Sequence, residues 1–138
     1  MSIEVQSVTK SYETQLALNE ISFSASKGEI IGFLGPNGAG KSTMMKILTG
    51  FILPTKGTVF ISGINVLKNP IEAKAHIGYL PEQNPLYEDM YVKEYLQFQT
   101  SIFKVPKEAI ETVVNTVGLK PEVHKKIGQL SKGYQQRV

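Results

Sequence analysis

Gly35-Pro36-Asn37-Gly38-Ala39-Gly40-Lys41-Ser42-Thr43 decides how the rest of the chain is read. From Gly35 to Ser42 it fits the pattern G-x-x-x-x-G-K-[ST]. Glycines let the backbone curl tightly, so successive N–H groups turn inward toward anionic oxygens. The N-terminus of a following helix adds partial positive charge. A lysine at position 41 reaches β- and γ-phosphates, and the Ser42 hydroxyl is a hard oxygen donor suited to Mg²⁺. The implied ligand is a nucleoside triphosphate with magnesium. A glycine-rich turn that binds nothing is the bland alternative, and the flanking sequence argues against it. Before the loop, Glu29-Ile30-Ile31-Gly32-Phe33-Leu34 is a short apolar run that predicts a buried strand. After it, Ser42 to Leu48 carries Met44, Met45, Ile47 and Leu48, which predicts a helix stopped at Thr49-Gly50. Strand, glycine-rich loop and helix is the order that phosphate binding needs.

Working outward, Ile3 to Val8 alternates apolar and polar residues and predicts a half-exposed strand. A second strand is expected around Ile21 to Ala25, with Lys27-Gly28 as the turn into the loop strand. Pro54-Thr55-Lys56-Gly57 is a turn feeding a strand at Thr58 to Ile61, which Ser62-Gly63 ends. Pro70 to Ala75 predicts a short helix with proline in its first turn, and Ile77-Gly78-Tyr79-Leu80 predicts a buried strand closed by Pro81. The character then changes. Val92, Tyr95, Leu96, Phe98 and Ile102 stand at helical spacing, as do Ala109, Ile110, Val113, Val114 and Val117, with Gly118 placed as a C-cap. A helical segment over about residues 86–127 therefore follows a mixed α/β lobe. No internal repeat or low-complexity tract stands out.

Composition excludes several classes. The chain has 138 residues, of which 41% are hydrophobic, slightly below ordinary globular usage, enough for a core and no sign of disorder. No apolar run approaches the ~20 residues that span a bilayer, and the N-terminus lacks the pattern of a secretory signal. Cysteine is absent, which excludes disulfides and thiolate metal sites and suits a reducing cytosol. The net charge of +3 is mild and dispersed, so no nucleic-acid partner is expected. The cluster of Lys120 with His124-Lys125-Lys126 reads as a solvated face. A single aspartate, Asp89, is present, and it follows Glu88 in no apolar strand.

Near the end stands Leu130-Ser131-Lys132-Gly133-Tyr134-Gln135-Gln136-Arg137. With it, the chain resembles the ATP-binding subunit of an ABC transporter from end to end. Gly35 to Thr43 matches that family's phosphate-binding loop. Gln83, after Tyr79-Leu80-Pro81-Glu82, stands in the place of the Q-loop glutamine. Leu130 to Gly133 resembles the L-S-G-G-Q signature, and Tyr12 in Thr9-Lys10-Ser11-Tyr12 resembles the aromatic residue that stacks on adenine. Taken singly, Tyr12 is also readable as a surface tyrosine, Gln83 as a plain loop residue and Ser131 as an ordinary helix start. Lys132 and Tyr134 depart from the signature and resemble the Leu-Ser-Lys-Gly-Tyr form of exporter and gliding-motility-like subunits.

The resemblance implies an α/β fold: a P-loop NTPase core with an antiparallel β subdomain and a helical subdomain, incomplete at its C-terminus. Residues 1–83 would form the mixed lobe, 84–130 the helical subdomain and 131–138 the start of the signature helix. It implies ATP contacts from Tyr12 and from Gly35, Pro36, Asn37, Gly38, Ala39, Gly40, Lys41, Ser42 and Thr43, with Mg²⁺ held by Ser42 and Gln83. Ser131, Lys132, Gly133 and Tyr134 would meet ATP bound by another subunit, in a homodimer or heterodimer of ATPase subunits. A transmembrane permease is the implied partner, on the cytoplasmic face of the membrane. The family's metal-binding aspartate, catalytic glutamate and switch histidine lie on later segments; His76 and His124 match none of them. Lys41 and Gln83 would then support hydrolysis without a catalytic residue among these 138 positions, and slow or absent turnover is expected of them. Other readings are a cytosolic ABC-type ATPase without transport, a nucleotide-binding module without catalysis, and another P-loop enzyme such as a kinase, which leaves Gln83 and the signature unexplained.

Overall fold

The computed structural model describes residues 2–82 and 84–138, in two compact units, Met1–Tyr79 and Leu80–Val138. In the first unit, β1 (Ile3–Tyr12), β2 (Gln15–Ala25), β3 (Lys56–Ile61) and β4 (Ile64–Asn65) form one antiparallel sheet in the order β2-β1-β3-β4. The β1 and β2 strands run longer than their alternation predicts. They meet at a two-residue turn in which Tyr12 pairs with Gln15 and Glu13 takes φ 49°. A second tight turn, Ser62-Gly63, has positive φ at both positions, the geometry that matches hairpin twist.

Strict alternation fails within β1, because Val5 and Val8 are both buried. Ser7 supplies the reason. It lies at φ 46°, its N–H is held by Ser22 Oγ at 2.8 Å, and the ladder to β3 shifts register between Gln6 and Thr9. This bulge inserts one residue and returns Val8 to the face of Val5. Gly57 sits against it at φ 87°, where an added Cβ would meet Ser7 O at 2.4 Å and Gln6 O at 2.5 Å. Gly57→Ala is therefore expected to destabilise the chain by about 2–4 kcal/mol, from left-handed strain plus backbone overlap. A thermal melt checks it; an unchanged midpoint would contradict the packing described.

The buried sheet face (Val5, Val8, Leu18, Val59, Ile61) packs on Met44, Ile47 and Leu48 of α1 (Lys41–Leu48), with Val66 and with Ala73 of α2 (Pro70–Lys74). As predicted, α1 stops at Thr49-Gly50, with Gly50 at φ 66°.

Two expectations are corrected. Residues 29–34 and 77–80 form no strand. A strand needs a neighbour to take its ladder bonds, and among the described residues none pairs with either segment. Phe33 turns inward, edge-on to Phe23 at 5.1 Å between ring centroids. Ile30 and Leu34 are 100% and 94% exposed, and Tyr79 and Leu80 also face solvent. The two apolar segments are thus only partly buried, through Phe33 and Ile77.

The second unit is helical, as expected. It contains α3 (Val92–Phe103), α4 (Ala109–Thr116) and α5 (Lys132–Gln135), with two short 3₁₀ turns between α4 and α5. Its core is Val92, Tyr95, Val114, Leu119, Ile127 and Leu130. Backbone bonds zip residues 88–93 to 123–128: Val92 N–H donates to Lys125 O, Ile127 N–H to Met90 O and Gly128 N–H to Glu88 O.

Candidate functional site

The glycine-rich loop is built in the first unit by backbone geometry that only glycine tolerates cheaply. Gly38 and Gly40 lie at φ 86° and 82°. Gly40 is also the N-cap of α1, and Met44 N–H donates to its carbonyl at 2.9 Å. No side chain caps this end and no acidic residue lies in its first turn, so its N–H groups and dipole are left for an anion. Lys41 folds back over the loop. Its Nζ donates to Gly35 O at 2.6 Å and Pro36 O at 2.7 Å. An ammonium carries three donors, so two brace the loop and one is left for a ligand. Ala39 N–H donates to Pro36 O at 3.2 Å, closing the curl. Ser42 is exposed and Thr43 half-buried at the start of the helix.

The loop is seated on β2. A Cβ at Gly40 would lie 2.4 Å from Ala17 O and 2.7 Å from Leu18 Cδ2. Reading the sequence missed this contact; the only signal was Leu18 as an apolar residue in a strand-forming stretch. Since β2 pairs with β1, the contact ties the loop to the hairpin whose tip carries Tyr12, which is 45% exposed. The structure thus places Tyr12 and the loop on one connected scaffold.

Gln83 lies outside the described residues. The signature residues belong to the second unit. Ser131 is the N-cap of α5, accepting from Tyr134 N–H at 3.4 Å, while Lys132 and Gly133 are exposed. Tyr134 packs on the helical core with Arg137 at 4.9 Å over its ring, and Arg137 Nη1 donates to Val117 O. Among the described residues there is no group of three His, Asp or Glu side chains that could hold a metal. The exposed Ser42 hydroxyl is a hard oxygen donor, the kind that fits a cation carried with phosphates.

A braced glycine loop at an uncapped helix start defines a P-loop nucleotide-binding protein. Residues 18–138 match the family model described as ABC transporter, and the chain belongs to that family. YhcH of Bacillus subtilis, an uncharacterized ABC transporter ATP-binding protein, is 37% identical over 99% of this chain and 45% of its own length. The bacitracin transport ATP-binding protein BcrA of Bacillus licheniformis is 36% identical over the same shares. A solved ATP-binding subunit of an ABC transporter superposes with a TM-score of 0.87 at 26% identity, over 99% of this chain and 59% of that one. The chain thus spans about half the length of the relatives it matches, and within that span the α/β P-loop fold is shared. No helix among the described residues is long and apolar enough to cross a membrane.

Proposed function

We propose that this chain binds MgATP as the nucleotide-binding part of an ABC transporter ATP-binding subunit. The observation that carries the reading is Lys41 braced on Gly35 O and Pro36 O above the open first turn of α1. Loop N–H groups and the Lys41 ammonium hold the phosphate oxygens, the Ser42 hydroxyl offers a ligand to the accompanying Mg²⁺, and Tyr12 offers a flat face to the base. Bound Mg²⁺ would neutralise phosphate charge.

In the whole protein, ATP hydrolysis by paired ATPase subunits powers transport through a membrane permease from its cytoplasmic face. Residues 1–83 serve as the nucleotide lobe and 84–130 as the helical subdomain. Ser131, Lys132, Gly133 and Tyr134 approach the nucleotide of the paired subunit, and Gln83 joins Ser42 at the metal. The exposed Ile30 and Leu34 are the positions that neighbouring strands of the family's central sheet would cover. The relative that transports bacitracin favours transport over a cytosolic ATPase of another kind.

Amide NMR tests the binding step. Adding MgATP is expected to shift Gly38 to Thr43 most strongly. Shifts confined to the second unit would contradict this reading.

A further inference from the structure

The segment Thr9 to Tyr12 is held more firmly than a hairpin tip requires. Ser11 N–H donates to Thr55 Oγ1 at 3.0 Å, and Thr55 N–H donates to Thr9 O at 2.8 Å. The turn before β3 therefore clamps the backbone on which Lys10 and Tyr12 stand. These two residues alternate along β1 and share a face. Lys10 Nζ lies 4.9 Å from the centroid of the Tyr12 ring. Lys10 is paired across the ladder with Leu18, the residue whose Cδ2 would crowd a Cβ added at Gly40, at the base of the glycine loop. The half-buried Lys10 forms no ion pair among the described residues, where Lys125–Glu122 is the recorded one.

An unpaired ammonium over an aromatic ring, one ladder pair from a phosphate-binding loop, has a use beyond solubility. We infer that Lys10 is a positioning residue of the nucleotide site: it covers one face of the Tyr12 ring and fixes that ring so that the other face receives the purine. A cation over one face draws the ring's π density toward itself and holds its plane. The inference rests on the nucleotide reading above and deepens it, assigning Lys10 to the base and leaving the triphosphate to Lys41.

The test uses three variants of this chain. It contains no tryptophan, so Tyr12→Trp places a single reporter at the ring. Adding Lys10→Met to that variant keeps the apolar stem and removes the charge, and the ligand-free emission is expected to change. With Tyr12 intact, calorimetry compares ATP with inorganic tripolyphosphate. Lys10→Met is expected to weaken ATP about 2- to 5-fold, the range of an exposed cation–π contact, and to leave tripolyphosphate unchanged. Lys10→Arg is expected to restore ATP binding. Unchanged emission, unchanged ATP affinity, or equal loss of both ligands would overturn the inference, the last by making Lys10 a phosphate or structural residue. Wild-type chain binding neither ligand would instead overturn the nucleotide reading and this inference with it.

Discussion

Lys41→Ala is expected to abolish measurable ATP binding while leaving the fold intact. The side chain has two tasks. It braces the loop through Gly35 O and Pro36 O, and it presents its remaining donor and its charge to the phosphates. One lost hydrogen bond to a charged group costs about 1.5–3 kcal/mol, roughly a 10- to 150-fold loss in affinity, before any loosening of the loop is counted. Stability should barely move, because α1 is anchored from its other face by Met44, Ile47 and Leu48. The two lost hydrogen bonds are solvent-exposed, so water can replace them, and their loss should cost the fold no more than about 1 kcal/mol. Calorimetry with a parallel thermal melt reads both. Lys41→Arg should not rescue binding, since a planar guanidinium does not reproduce a compact three-donor ammonium. Unaltered affinity in Lys41→Ala would remove the loop from the site.

Gly40→Ala is expected to act the other way round, on stability first and on binding through it. At φ 82° a Cβ strains the backbone, and it would sit 2.4 Å from Ala17 O. That oxygen belongs to Ala17, the residue left between the Lys10–Leu18 and Ser11–Leu16 pairs, so the two flanking pairs limit how far it can retreat. Strain and overlap together should cost about 2–4 kcal/mol, a fall in melting temperature of more than roughly 10 °C for a unit of this size. Gly38→Ala is the control. Its φ is 86°, yet nothing lies within 4 Å of the added Cβ. It should lose only the conformational part, about 1–2 kcal/mol. Equal effects at the two positions would mean that the seat on β2 does not matter.

These contrasts show which parts of the site can be read without a structure. The loop was legible because its chemistry is local: glycine spacing, a lysine and a hydroxyl within nine positions. So was α1, whose apolar spacing and Thr49-Gly50 stop need no distant partner. The helices of the second unit were legible for the same reason. The strands expected at residues 29–34 and 77–80 were not, because a buried strand is defined by its neighbours; apolar content alone left Ile30 and Leu34 in solvent. The Ser7 bulge was hidden because a serine at positive φ carries no compositional mark, and it is Gly57, more than forty positions away, that makes room for it. The seat of Gly40 on Ala17 and Leu18, and the placement of Lys10 over Tyr12, arise from pairing register, which alternation only approximates.

Titration of MgATP into the wild-type chain by calorimetry tests the central claim most directly. Saturable binding at one site per chain, weakened when Mg²⁺ is withheld, is the predicted result. A chain that shows a cooperative melt yet gives no binding heat with MgATP, and no competition from tripolyphosphate against a fluorescent ATP analogue, would contradict it.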